Sequence, residues 1–348
     1  MRDNDCYDVT IIGGGPAGLY ASFYSGMREL KTKIIEYQPQ LGGKIHVYPE
    51  KMIWDVGGIT PIPGEQLMKQ LTEQALTFHP TVVLNEKVQS ITQHDDGTFT
   101  LSTNSEQTHR SKTVIVAVGS GILKPNKLEI EGAERFEITN LHYTVTSLQR
   151  FKDKTVLISG GGNSAIDWAI ELEPIAKQVY LVYRNKALKG HEAQISQVMN
   201  RSTICYLETS ITRLLANQYH DAIEQIELTH VESGDVSYVT IDEVIISHGY
   251  ERDATLLHDS TLDIALKDHF ISGNAHSESS VEGLYAAGDV LTYDGKLHLI
   301  AGAFQDAANA VNQAKQFIDP EANKRGMVSS HNAIFKERNQ ELIKQMVR

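Results

Sequence analysis

The chain of 348 residues has only two cysteines, Cys6 and Cys205, far apart and in no C-x-x-C pair. That scarcity excludes a disulfide scaffold and a cysteine-built zinc module, and it suits a reducing compartment. No apolar run approaches the ~20 residues that a membrane span needs. The opening residues, Met1-Arg2-Asp3-Asn4-Asp5, lack the layout of a secretory signal. Basic residues are outnumbered, 32 Lys and Arg against 44 Asp and Glu, for a formal charge of −12. Such a balance argues against general nucleic-acid binding. Proline is sparse, at 9, and no low-complexity tract is present. The expectation is a soluble cytoplasmic protein with no membrane and no nucleic-acid partner.

What is abundant is glycine, 26 residues, within a chain that is 41% hydrophobic and long enough for two cores. The β-branched run Asp8-Val9-Thr10-Ile11-Ile12 ends at Gly13-Gly14-Gly15-Pro16-Ala17-Gly18. A helical stretch, Leu19 to Tyr24, follows, and then a second apolar strand, Lys33-Ile34-Ile35, ends at Glu36. Strand, glycine turn, helix, strand and terminal acid make a dinucleotide-binding unit, which the glycine motif alone would not establish. Gly13 permits the turn, Gly15 admits a pyrophosphate and Gly18 lets helix and strand pack closely. Glu36 suits the ribose hydroxyls of FAD or NAD.

The pattern recurs. Thr155 to Ile158 reads as a strand leading into Ser159-Gly160-Gly161-Gly162-Asn163-Ser164-Ala165 and a helix from Ile166 to Leu172. The next strand, Gln178 to Tyr183, ends at Arg184, with Lys186 and Lys189 nearby. A cation at that position pairs with the 2′-phosphate of NADP, where a carboxylate would repel it. A solvated basic loop is the plain alternative. Two fingerprints imply one resident flavin nucleotide and one diffusing nicotinamide nucleotide.

The expected fold is therefore α/β, with two Rossmann-like dinucleotide-binding domains. Residues 1–120 with 283–348 form the FAD domain and 121–282 the NADPH domain. Thr113 to Gly119 and Glu243 to Gly249 read as buried strands closing on glycines. Asn85 to Leu101 reads as a hairpin around Asp95-Asp96-Gly97. Gly283 to Val290 delivers Asp289 beside a glycine, suited to a ribityl hydroxyl, ahead of an Ala-rich helix running to Lys315. A short terminal helix is expected from Lys336 to Met346.

With these motifs placed, the chain resembles the thioredoxin-reductase-like flavoproteins, and among them the bacterial homodimeric ferredoxin–NADP reductases. The resemblance covers nearly the whole length. It rests on Gly13 to Gly18, Leu41-Gly42-Gly43-Lys44, Tyr48-Pro49-Glu50-Lys51, Asp55-Val56-Gly57-Gly58, Asn140-Leu141-His142-Tyr143, Gly160 to Asp167 and Ala286-Ala287-Gly288-Asp289. It implies FAD contacts from Glu36, Lys44, Tyr48, Val88, Leu123 and Asp289, with Tyr48 stacked on one ring face. Tail residues, here Ser329, Ser330 and His331, would cover the other face from a partner subunit. It implies NADPH docking at Gly160, Gly162, Asn163, Ser164, Ala165 and Arg184, and electron transfer to ferredoxin or flavodoxin.

Some residues depart from the family's pattern. Lys44 stands where Gln is usual, Asn185 replaces an arginine, Lys189 replaces another, and Leu123 takes the place of a Phe. Thioredoxin reductases carry C-x-x-C before the second fingerprint, and Leu141 to Gln149 contains no cysteine. Without neighbouring thiols no internal dithiol relay is available. The residues leave two other readings open: an NADPH-dependent quinone or ferric-chelate reductase, and a non-catalytic flavin or nucleotide sensor.

Overall fold

A computed structural model describes residues 5–253, 256, 260 and 262–347. By contacts the chain divides into two units: Met1–His46 with Lys51–Ile122 and Arg252–Arg348, and Val47–Glu50 with Leu123–Glu251.

The first unit is built on a seven-stranded sheet. Its order is Thr81–Val83, Thr32–Ile35, Cys6–Ile12, Thr108–Val116, Phe99–Thr103, Val88–Gln93, and Leu284–Ala286 also pairs with Thr108–Val116. Strand pairs from Thr81–Val83 through Thr108–Val116, and on to Leu284–Ala286, are parallel. Alternation along these strands sorts their side chains onto two faces. Ile12, Ile35, Val114 and Val116 enter one buried cluster, while Val9, Ile11, Ile34 and Ile115 enter another. The second cluster includes Ala17 and Ala21 of the helix Pro16–Met27, and Ala303, Ala307, Ala310 and Ala314 of the helix Ile300–Ile318. Alanines at these positions let two helices lie close together over one sheet face. The expected hairpin is present as Val88–Gln93 against Phe99–Thr103, turning at Gly97 with φ +80°. The terminal helix spans Lys336–Met346.

The division differs from the expected boundary at 283, because the chain returns to the first unit at Arg252. The cause is burial: Leu256, Ile264 and Ile271 join the cluster of Ile12, Phe99 and Val116. The short strand Phe270–Ser272 also pairs with Leu291–Thr292.

The second unit holds a parallel five-stranded sheet in the order Leu141–His142, Glu243–Ile246, Thr155–Ser159, Gln178–Tyr183, Ile204–Leu207. The helix Asn163–Leu172 buries Ala165, Ile166, Trp168, Ala169 and Leu172 against it. An antiparallel sheet, Thr209–Ala216, Ile223–His230 and Val236–Thr240, was not expected from the sequence. Among the described residues no helix is long and apolar enough to cross a membrane.

Candidate functional site

In the parallel part of each unit's sheet the order in which the chain adds strands reverses at one place, and each glycine turn sits there. In the first unit the reversal lies between Cys6–Ile12 and Thr108–Val116; in the second it lies between Thr155–Ser159 and Glu243–Ile246. Ligands of open α/β sheets bind in the crevice at such points, beyond the carboxyl ends of the strands.

The glycines of the two turns fall into matching classes. Gly13 has φ +105°, and a Cβ on it would lie 2.4 Å from the Ala117 carbonyl oxygen. Gly160 has φ +147°, with a Cβ 2.4 Å from the Ser247 carbonyl oxygen. Both are demanded by the fold itself. Gly18 is likewise demanded, since a Cβ would fall 1.9 Å from the Gly13 oxygen. Its counterpart Ala165 is fully buried under the second turn. The middle glycines are different. A Cβ on Gly15 would meet only the Gly43 Cα at an ordinary 3.7 Å, and one on Gly162 would meet nothing within 4 Å. Among the described residues no contact requires glycine at Gly15 or Gly162. A side chain there would occupy space in front of a helix N-terminus, where backbone N–H groups attract a phosphate.

In the first unit Glu36 is buried, and its carboxylate accepts from Gly14 N at 2.6 Å and Gln38 N at 2.7 Å. It thus shapes the glycine turn, while carboxylate oxygens retain acceptor capacity for a ribose. Pro16 and Ala17 begin the helix Pro16–Met27, with Gly15 at its N-cap. Gly42 N donates to the Gly14 oxygen at 2.8 Å, which lays the Leu41–Gly43 segment along the turn. Lys44 is exposed on the following 3-10 turn, Gly43–Val47, whereas Ile45 is buried. Asp289 is half-buried on the 3-10 turn Gly288–Val290. Gly288 faces the fingerprint helix, for a Cβ on it would come 3.0 Å from the Ala17 Cβ.

Five further residues expected at the flavin are Val88, Leu123, Tyr48, Ser330 and His331. The Val88 side chain is in the core with Ile91 and Phe99, so any ligand contact there falls to its backbone. Leu123 lies on the strand Ile122–Pro125, and its side chain is outside the described residues. Tyr48 belongs to the second unit, packed on the cluster of Val145, Phe151 and Trp168. Its neighbour Glu50 fixes that placement by accepting from Leu148 N. Ser330 and His331 are exposed in the tail. The tail is held at the C-terminal end of Pro16–Met27: Arg28 donates to the Asn323 oxygen at 2.6 Å and Asn332 to the Met27 oxygen at 3.4 Å. Phe335 stacks near Phe78, with ring centroids 5.4 Å apart. A helix of twelve residues is about 18 Å long, so a chain's own tail does not reach its own glycine turn.

In the second unit Gly162 caps the helix Asn163–Leu172, and Asn163 and Ser164 are exposed on its first turn. Arg184 is exposed just past the strand Gln178–Tyr183. Lys189 is tied to the turn by its backbone, donating to the Gly161 oxygen at 2.6 Å. Lys186 is turned to carboxylates instead, 2.9 Å from Glu232 and 3.4 Å from Glu208, which push its pKa up. His248, which sequence reasoning left unassigned, follows the strand Glu243–Ile246 at the reversal point, and its Nε2 lies 2.8 Å from the Ser159 Oγ. Although the residue is exposed overall, desolvation of its ring, and then the Arg184 guanidinium, hold its pKa below the usual imidazole value. Its place directly after a central parallel strand was the signal available in the sequence.

The segment expected to lack a dithiol is filled by charge. His142 Nε2 lies 2.6 Å from Glu243, and the Arg150 Nε donates to the same carboxylate at 3.1 Å. Cys6 and Cys205 are both free thiols, and burial pushes the Cys205 thiol up. No group of side chains suited to hold a metal ion occurs among the described residues.

Known proteins share this arrangement. Ferredoxin–NADP reductase 1 of Bacillus mycoides (strain KBAB4) is 68% identical over 349 residues, covering all of both chains. Ferredoxin–NADP reductase 2 of Exiguobacterium sibiricum is 62% identical over 348 residues, covering 100% of this chain and 99% of the relative. Among solved structures, the thioredoxin reductase of Lactococcus lactis matches with a TM-score of 0.71 at 25% identity, covering 90% of this chain and 99% of the other. The fold is that of two-dinucleotide-binding-domain flavoproteins such as thioredoxin reductase. A family model described as pyridine nucleotide-disulphide oxidoreductase matches residues 7–314, and the chain belongs to that family.

Proposed function

We propose that the protein is a ferredoxin (or flavodoxin)–NADP reductase that holds FAD in the first unit and NADPH in the second. The observation that carries the nucleotide reading is the pair of middle glycines, Gly15 and Gly162, where the fold leaves room for a Cβ and a pyrophosphate explains its lack. Full-length relatives named ferredoxin–NADP reductase support the choice of reaction.

The flavin, when bound, accepts two electrons from NADPH and passes them singly to an iron–sulfur carrier. The chain's own work is binding and orientation. Gly13, held by the Ile35 oxygen, and Gly14, held by the Glu36 carboxylate, present the N-terminus of Pro16–Met27 to the flavin nucleotide's pyrophosphate. Asp289 accepts from a ribityl hydroxyl. Gly160, Gly162, Asn163, Ser164 and Ala165 form the corresponding cradle for NADPH. Arg184 binds the 2′-phosphate with Lys189 beside it, and Lys186, bound to Glu208 and Glu232, contributes less than the sequence implied. With its two free thiols in different units, the chain offers no dithiol relay between a bound flavin and its acceptor.

A second copy of the chain, in a homodimer, supplies Ser330 and His331 to the flavin site, since the chain's own tail is anchored at the far end of Pro16–Met27. The free thiols suit the cytoplasm. Steady-state NADPH oxidation with ferredoxin, a quinone and a ferric chelate as competing acceptors tests the assignment. Ferredoxin should give the highest kcat/KM. Preference for the quinone or chelate assigns the second reading, and failure of either nicotinamide to reduce the flavin assigns a sensor.

A further inference from the structure

One buried ion pair of the first unit lies outside the residues discussed so far. Asp306, on the second turn of the helix Ile300–Ile318, and Lys296, in the loop before that helix, pair with side chains only 1% and 3% exposed. The Asp306 carboxylate also accepts from Gly288 N at 3.0 Å and from the Tyr293 hydroxyl at 3.0 Å. Its backbone oxygen accepts from Ser277 Oγ at 2.9 Å. Tyr293 is pushed up to about 12 by burial and by this carboxylate, so it remains a donor. One side chain thereby ties together the Gly288–Asp289 turn, the loop 293–299 and the helix Ile300–Ile318.

This knot borders the flavin cradle from behind. Gly288 is wedged between two helices, since a Cβ there would lie 3.0 Å from the Ala17 Cβ and 3.8 Å from the Ala303 Cβ. Ala17 stands on the first turn of the fingerprint helix and Ala303 on the first turn of the other. The loop is pressed against that same turn, as a Cβ on Gly302 would fall 2.1 Å from the Leu297 oxygen. Buried ion pairs add little net stability over apolar packing, yet losing one partner strands the other charge in a medium that does not screen it. A pair retained here calls for a use beyond holding the fold.

Resting on the FAD reading above, we propose that Asp306 is a positioning residue of the flavin site, and that Lys296 balances its charge so that the bound flavin feels neither. Asp306 sets the backbone of Gly288 and hence the place of Asp289. Because the reduced flavin carries an additional negative charge, an unbalanced Lys296 stabilises it and an unbalanced Asp306 destabilises it.

The test measures flavin midpoint potential and FAD release on the purified holoprotein. Asp306→Asn should raise the potential and Lys296→Met should lower it. Each should release FAD about tenfold faster, as expected when one buried partner is lost. The double variant Lys296→Gln/Asp306→Asn removes both charges; its new amide oxygen at position 306 can still accept from Gly288 N while the amide nitrogen donates to the Tyr293 oxygen, so its potential should return to near wild type. Tyr293→Phe is the mild variant, costing one hydrogen bond and no charge; it should release FAD faster while the apoprotein still folds, with its melting temperature lowered by only a few degrees, even if the single charge variants fail to fold. Potentials that stay put or shift in the same direction in both charge variants would make the pair purely structural and overturn the proposal, as would unaltered FAD release in Tyr293→Phe. A wild-type protein that binds no FAD overturns the FAD reading itself, which distinguishes the two failures.

Discussion

At the scale of single residues, the two glycine turns separate what the fold needs from what a ligand needs. Gly160→Ala places a methyl group against the Ser247 oxygen at a φ of +147°, and should destabilise the protein by about 1–3 kcal/mol or more. Gly162→Ala meets no atom, so thermal denaturation should leave its melting temperature within a few degrees of wild type while NADPH affinity falls at least tenfold. Equal loss of stability in both variants would show that the middle glycine serves the fold. Arg184→Ala should raise the KM for NADPH by about tenfold or more with that for NADH nearly unchanged, in line with the loss of a charge-assisted hydrogen bond. Steady-state kinetics with both nucleotides checks this. Sequence alone gave Arg184 its role from its position after a strand, yet it could not tell Lys186 from Lys189. That distinction depends on Glu208 and Glu232, which come from elsewhere in the chain. His248 was hidden for the same reason, because its meaning comes from lying beside Ser159 across the sheet.

Elements with a strong local signal were legible, and those defined by long-range packing were not. The hairpin at Gly97 and the terminal helix Lys336–Met346 carry their own turn and periodicity signals, and both are present. The antiparallel strands Thr209–Ala216, Ile223–His230 and Val236–Thr240 show weak alternation; burial along the first runs through several half-exposed positions in succession. The segment after Arg252 falls with the first unit by contacts, a placement its sequence does not announce, since its strands have only two or three residues and its anchors, Ile264 and Ile271, reveal their partner only in space. The tail belongs to this scale as well. Phe335 holds it against Phe23 and Phe78, at ring separations of 6.3 and 5.4 Å. Phe335→Ala should remove about 1–2 kcal/mol locally and speed hydrogen exchange from residue 327 onward. Protection equal to wild type would mean that Arg28 and Asn332 suffice to hold the tail.

For the whole molecule, duplication is the central fact. Two units repeat one solution, a glycine turn at the reversal point of a parallel sheet, and differ in the residue after the second strand. Glu36 turns inward and bonds the turn itself; Arg184 faces outward beside His248. This contrast was readable from the sequence because it lies within short, contiguous motifs. The placement of Tyr48 was not readable, since the Val47–Glu50 segment joins the second unit through Leu148 and the Val145 cluster. The acidic balance of −12 has a consequence for the partner. Ferredoxins of the usual acidic kind would need a local basic surface to dock, so productive encounter should weaken as salt screens that surface.

Anaerobic stopped-flow reduction of the purified flavoprotein, NADPH against NADH, followed by mixing with ferredoxin, tests the central claim most directly. Fast bleaching by NADPH, slower bleaching by NADH and prompt reoxidation by ferredoxin are the predicted results. Equal, slow reduction by both nucleotides, or reoxidation by oxygen and quinone but not by ferredoxin, would contradict it.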